Sequence, residues 1–320
     1  MNAWPLHRAA TQRVAVVGPT ACGKSAVAMA VAQARPDVEI VSVDSMQVYR
    51  GMDIGTAKPS ADDQRIVAHH MIDLVEATAE FTVAEFQRSY EFVTRQIADR
   101  GHHALLVGGT GLYHRAAIDQ LDLPGEWPHI RARLHLEAIH AGLGPLYERL
   151  VGLDPQAAAR IEPTNERRLI RALEVCEGSG RQFSSFGPGL ESYPPSPVVQ
   201  IGLMWPRDVL ATRVADRVQS MMRAGLLAEV RALAEVGLSK TAAQALGYKE
   251  LLAHERGEAS YDEAVDQIIV RTRQFAVRQI RWFRRDPRVR WINIEHDPVA
   301  EVCPVVLAAL APWEDSPQGS

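Results

Sequence analysis

At 320 residues the chain is long enough for one large domain and a smaller one, and 47% hydrophobic content supports a sizeable core. It holds no run of about 18 apolar residues, and Met1–Gln12 carries polar and charged residues in place of a signal peptide's apolar block, so a soluble cytoplasmic protein with no membrane partner is expected. Cys22, Cys176 and Cys303 are far apart without C-x-x-C spacing, which argues against a disulfide framework or zinc site, and the net charge of -4 argues against a uniformly basic nucleic-acid coat.

The first element is a buried parallel strand at Val14–Val17. Gly18-Pro19-Thr20-Ala21-Cys22-Gly23-Lys24-Ser25 follows and fits G-x-x-x-x-G-K-[ST], and an Ala/Val/Met segment of helical character comes next. The glycines let the loop wrap an anion with its N–H groups. The following helix presents its positive end, Lys24 adds a point charge, and Ser25 can hold Mg²⁺. The motif specifies a pyrophosphate or triphosphate, not the molecule that carries it.

Val38–Val43 reads as a second strand that delivers Asp44 and Ser45 to the sheet edge where open α/β folds keep their chemistry. Residues 48–60 are too rich in Gly and Pro for a helix and read as a loop containing Lys58, placed for a ligand contact. His69 and His70 lack further metal ligands at suitable spacing, which favours a structural or substrate-loop role. Thr82–Ala98 reads as a helix with Val83, Phe86, Tyr90, Val93 and Ile97 toward the core. A third strand, Ala104–Val107, ends in Gly108-Gly-Thr110-Gly-Leu-Tyr113. A Walker B acid is missing there, and the loop suits holding an anion better than activating a water against it.

Pro- and Gly-containing stretches at 123–128 and 183–197 bracket a helical region from about Ile130 to Glu177, with basic residues at Arg131, Arg133, Arg167, Arg168 and Arg171. Val198–Met204 resumes the sheet. Helices over Arg207–Val236 place Arg213, Arg217 and Met221 at i, i+4, i+8. Glu263–Arg285 forms a helix with Arg271, Gln274, Arg278, Arg281 and Arg285 on one face, and Phe275, Trp282 and Phe283 largely elsewhere. Residues 271–290 hold eight arginines against the single acid Asp286, a pattern that binds phosphate backbones or forms a solvated face. Val289–Ile294 is the last strand, and the tail from Glu314 reads as disordered. The expected fold is α/β: a P-loop NTPase-like core of mostly parallel strands over 13–122 and 198–312, with a helical insertion at 123–197.

Several stretches, taken together, resemble the tRNA dimethylallyltransferases, also called tRNA isopentenyltransferases. These are Gly18–Ser25, Ser42-Val-Asp-Ser-Met-Gln-Val-Tyr49 with Asp53-Ile-Gly-Thr-Ala-Lys-Pro59, Gly108–Tyr113, and Arg273-Gln-Phe-Ala-Val-Arg-Gln-Ile280. The similarity continues through His69–Asp73, Asn165–Val175 and Ala245–Glu250, covering residue 13 to about 295. It implies transfer of a dimethylallyl group from dimethylallyl diphosphate to N6 of the adenosine 3′ of a tRNA anticodon (position 37), releasing diphosphate.

The residues suit that chemistry. The N6 lone pair is conjugated with the ring, so attack benefits from a base, and Asp44 matches the family's base. Departing diphosphate needs cations and donors: Lys24, the loop amides, Thr110 and Mg²⁺ on Ser25 fit, and Arg217 falls where the family has a diphosphate-steadying arginine. The family's tRNA-contacting segments fall on Asp44, Ser45, Met46 and Gln47, on Arg167, Arg168, Leu169, Ile170 and Arg171, and on Gln244, Ala245, Leu246, Gly247, Tyr248 and Lys249. Arg131 and Thr110 match single contacts. The insertion would clamp an extruded adenine's loop, while the 271–290 helix would hold phosphates. A monomer is expected.

Two departures stand out: Phe81-Thr82 for the family's frequent Tyr-Ser, and Ala276-Val-Arg-Gln279 for its Ala-Lys-Arg-Gln, which loses one cation. The rival readings are a P-loop small-molecule or nucleoside kinase, with Asp44 activating a hydroxyl, and a nucleotide-switched RNA-binding protein that would leave Asp44 without a role.

Overall fold

Runs rich in β-branched and apolar residues build the centre of the computed structural model, which describes residues 13–187 and 189–310. The strands are β1 (Arg13–Val17), β2 (Val38–Val43), β3 (Tyr49–Arg50), β4 (His69–His70), β5 (Val75–Glu76), β6 (His103–Gly108), β7 (Val198–Met204) and β8 (Val289–Asn293). Six of them form one sheet in the order β4-β2-β6-β1-β7-β8, every pairing parallel, and β3 and β5 make a separate short parallel pair. Burial on both faces explains why these strands read as continuous rather than alternating apolar runs.

The helices between them are α1 (Lys24–Ala34), α2 (Ala61–Ile66), α3 (Val83–Asp99), α4 (Gly111–Asp119), α5 (Pro128–Ala141), α6 (Gly144–Leu153), α7 (Pro155–Ala158), α8 (Glu166–Ser179), α9 (Arg207–Arg223), α10 (Leu226–Val236), α11 (Tyr248–Glu255), α12 (Tyr261–Arg284) and α13 (Pro298–Leu310). One face of the sheet packs against α1 and α13 through Val27, Val31, Val302 and Val306, and the other against α3 and α4 through Phe86, Tyr90 and Ala117. Phe81-Thr82 keeps the hydroxyl and the aromatic ring of the residues it replaces. Thr82 Oγ1 accepts from Glu85 N, and Glu85 accepts from Thr82 N, a capping box at the start of α3.

The chain divides into two units: one runs to Asp119 and resumes at Pro194, the other is Gln120–Tyr193. The second is helical, α5 to α8 closing around Leu134, Leu146, Leu150, Leu169 and Leu173. Inside it Glu174, fully buried, accepts from Arg131 Nε (2.9 Å) and from Trp127 N (2.7 Å).

The 48–60 loop is braced from within: Lys58 Nζ, almost fully buried, donates to Tyr49 O (2.8 Å) and pairs with Asp53 (2.5 Å) and Asp73 (2.6 Å). The chain also carries a helix that sequence patterning does not show, α13, with Pro298, Val302, Val306 and Leu310 buried at four-residue intervals. His70 serves structure, its Nε2 2.5 Å from Glu39, which Arg100 and His102 also hold. Among the described residues no cluster of His, Cys, Asp and Glu could hold a metal by itself, and no helix is long and apolar enough to cross a membrane. Met1–Gln12 and the tail from Glu314 lie outside the described residues.

Candidate active site

The parallel register sets three loops side by side. Val17 lies opposite Gly108, and Gly108 opposite Val43, so β1, β6 and β2 end level with one another. Gly18–Gly23 leaves β1, Gly109-Thr110 leaves β6 and Asp44–Gln47 leaves β2, all at the C-terminal edge of the sheet.

The first loop is held from outside with its donors turned in. Lys24 Nζ donates to the carbonyls of Gly18 (3.1 Å) and Pro19 (2.7 Å), Arg213 Nε to that of Ala21 (2.9 Å) and Trp205 Nε1 to that of Cys22 (3.0 Å). The Arg213 guanidinium also stands 4.7 Å from the Trp205 ring centroid, so these two outer anchors brace each other. Among the described residues the amides of Ala21 to Ser25 have no hydrogen-bond partner. Ala21 (φ 64°) and Gly23 (φ 101°) supply the left-handed backbone that points successive N–H groups the same way, a cost carried by a non-glycine residue at Ala21. Gly23 then caps α1, whose first turn adds its own free amides. The result is a concave set of donors sized for a phosphate group.

Asp44 faces this cradle from β2. Its Oδ1 accepts from Met46 N (2.8 Å), which fixes the carboxylate, while Oδ2 has no hydrogen bond among the described residues. Thr110 Oγ1 accepts from Ser45 N (3.1 Å) and ties the β6 loop to the Asp44 turn. Gln47 holds the other end of that turn: its Oε1 accepts from Ser42 Oγ (2.7 Å) and its Nε2 donates to the carbonyls of Thr56 and Ala57. Arg217, on α9 one turn beyond Arg213, has no hydrogen bond or ion pair among the described residues. Burial lowers its pKa below the usual guanidinium value, against the fields of Asp44 and the Cys22 thiol, which raise it. A partly desolvated cation without a partner among the described residues, close enough to feel Asp44, is a waiting anion site.

The other expected positions divide by burial. Arg167 and Arg168 are exposed at the start of α8, with no side-chain partner among the described residues. Leu169 and Ile170 are buried in the helical unit, so their side chains hold α8 in place and cannot meet RNA. Arg171 and Arg131 both reach Glu174, which takes part of their charge. In the third segment Gln244 and Lys249 are exposed and Leu246 is half-buried. Ala245, Gly247 and Tyr248 are buried, Tyr248 Oη donating to Glu229 (2.5 Å). On α12, Arg271 pairs with Glu250 (2.7 Å), and Arg278, Arg281, Arg284 and Arg285 are exposed. Sequence reasoning misses Trp205 and Gln279 as parts of the site. Arg213 is visible in the sequence as the residue one turn before Arg217, but its role is not.

Comparison with known proteins identifies the family. The family model for IPP transferases matches residues 47–286. A tRNA dimethylallyltransferase of Thermobifida fusca is 48% identical over 285 residues, covering 87% of this chain and 89% of its own length. One of Streptomyces coelicolor is 48% identical over 282 residues, covering 88% and 89%. Among solved structures, the full-length tRNA isopentenylpyrophosphate transferase of Bacillus halodurans superposes with a TM-score of 0.67 at 37% identity, covering 94% of this chain and 97% of that one.

Proposed function

The chain belongs to the tRNA dimethylallyltransferase family, and from that premise we propose how its sheet edge carries out the reaction. The protein is a transferase that places a dimethylallyl group on a tRNA adenosine. In this reading the donor is dimethylallyl diphosphate, the acceptor is N6 of the adenosine 3′ of the anticodon, position 37, and diphosphate is the other product.

One observation carries the reading. Among the described residues, a donor nest without a partner, an arginine without a partner and a carboxylate with one free oxygen converge on the ends of three adjacent strands. The amides of Ala21 to Ser25, Lys24 and Arg217 hold the diphosphate and take up the negative charge that grows as the allylic C–O bond breaks. Lys24 swings from its own loop carbonyls to do so. Asp44 Oδ2 accepts the N6 proton as the N–C bond forms, so nitrogen does not have to carry full positive charge. Thr110, anchored on Ser45, keeps the Asp44 turn in register with the β6 loop.

The donor set fits a divalent metal. Ser25 is exposed at the start of α1 and offers a hard hydroxyl oxygen, the type Mg²⁺ takes together with phosphate oxygens and water. Bound there, Mg²⁺ would neutralise leaving-group charge. Arg167 and Arg168 on the insertion, and Gln244 and Lys249 before and on α11, are the exposed side chains that would meet the anticodon arm, and the outer arginines of α12 would bind its phosphates. The acting unit is one chain, working in the cytoplasm where its RNA substrate is.

The test is incubation with Mg²⁺, unmodified tRNA bearing adenosine 3′ of the anticodon, and either labelled dimethylallyl diphosphate or γ-labelled ATP. Prenylated adenosine by nucleoside mass analysis, with ATP intact, is the expected result. ATP cleavage without prenyl transfer would overturn the reading in favour of a kinase or a nucleotide switch.

A further inference from the structure

Gln279 is a buried amide on α12, 6% exposed, and both ends of it are engaged. Its Oε1 accepts from Thr20 N (2.8 Å) in the phosphate loop, and its Nε2 donates to Gly109 O (2.9 Å) in the loop after β6. The orientation is fixed by its neighbours. A half-turn of the amide would set N–H against the Thr20 N–H and oxygen against the Gly109 carbonyl, two repulsions in place of two bonds. The approach is close enough to dictate the residue at 109. A Cβ there would lie 2.2 Å from Gln279 Nε2, so only glycine leaves the bond intact. One turn on, Trp282 closes on Gly111 in the same way, its Nε1 2.1 Å from where a Cβ would stand.

We propose that Gln279 is a positioning residue for the transfer, a strut of fixed length that sets the spacing between the diphosphate cradle and the loop carrying Thr110. The inference rests on the reading of this sheet edge as the transfer site. It explains why Thr20, inside the phosphate motif, directs its amide to Gln279 while the amides of Ala21 to Ser25 have no partner among the described residues. The strut also gives α12 a second role, because the helix that presents Arg278, Arg281, Arg284 and Arg285 to solvent holds the two catalytic loops together on its inner face.

Gln279→Met keeps the length and removes both bonds. With two hydrogen bonds lost, kcat/KM for dimethylallyl diphosphate should fall at least about tenfold, while KM for tRNA stays within about twofold. Gly109→Ala displaces the Gln279 amide from the opposite side and should give the same split, and it serves if the first variant does not fold. The double variant should be no worse than either single one, since both break the same contact. Unchanged kinetics, additive losses, or equal increases in both KM values would overturn the proposal. Binding of inorganic diphosphate, followed by calorimetry, should weaken about tenfold in Gln279→Met whether or not adenosine is prenylated. Failure of wild type to modify tRNA therefore sinks the transferase reading, and equal diphosphate affinity in wild type and variant sinks the strut.

Discussion

In the proposed reaction Asp44 is the base, and among the described residues its Oδ1 is fixed by Met46 N while Oδ2 has no hydrogen bond. Asn in its place keeps an oxygen for the Met46 amide and loses the proton acceptor. Asp44→Asn is therefore expected to lower kcat by about 10²–10⁴-fold, the usual range for removing a general base, with KM for dimethylallyl diphosphate and affinity for tRNA little changed. Single-turnover prenylation measured by nucleoside mass analysis decides it, and a loss of less than about tenfold would remove Asp44 from the base role. Asp44 is legible in the sequence because it ends a buried strand, the place where an α/β fold keeps its chemistry. Gln279 and Trp205 are not. Each acts by reaching a backbone atom far away in the chain, Thr20 and Gly109 for one and Cys22 for the other, and no spacing rule brings those atoms together before the sheet is formed.

Among the elements, α8 shows how a correct region can hold a mixed set of residues. Its first turn exposes Arg167 and Arg168, while Leu169, Ile170 and Leu173 fill the core of the helical unit. The amphipathic pattern already present in the sequence separates the two groups. The resemblance, carried over position by position, does not. Charge reversal at Arg167 and Arg168 should raise KM for tRNA by about tenfold or more and steepen with falling salt, because phosphate attraction is the term being inverted. KM for dimethylallyl diphosphate, titrated in the same assays, should stay put, and an equal shift in both would remove α8 from the RNA surface. The strands β1, β2 and β7 are legible from β-branched runs, and the expected helical stretch from Ile130 to Glu177 is in fact four helices, broken where Gly142, Pro155 and Pro163 interrupt it. The helix α13 escapes a reading of the sequence because Pro298 and Pro304 look like breakers. Pro298 starts the helix, where proline is at home, and Pro304 is accommodated within it, while the Val302–Val306–Leu310 stripe packs against α1.

Across the whole molecule, the site depends on a buried histidine that none of the motifs contains. His114 Nε2, on α4, lies 2.8 Å from Gln200 Oε1 on β7, and the ring stands edge-on to Phe283 of α12 at 5.5 Å, so three elements meet at it. Its backbone N–H donates to the carbonyl of Thr110 (2.9 Å), which joins this core to the catalytic loop. Burial lowers its pKa to about 4, the bond to Gln200 and the charges of Asp286 and Asp119 opposing the shift only in part. Between that value and the ordinary value of about 6.5 the unfolded chain takes up a proton that the folded chain refuses. The contribution to stability is therefore complete above about pH 6.5 and is lost as pH falls toward 4, on the order of 3 kcal/mol at most. His69, also lowered by burial, adds in the same direction. Glu39 follows at lower pH: burial would raise it, but bonds from Arg100 and His70 hold it at about 2, so its contribution is present above about 4.5 and fades below. Urea midpoints between about pH 7 and 4.5 should thus decline in wild type before carboxylates begin to protonate, and His114→Gln should flatten that decline from a lower starting stability. An unaltered slope in the variant would assign the early acid loss to other groups.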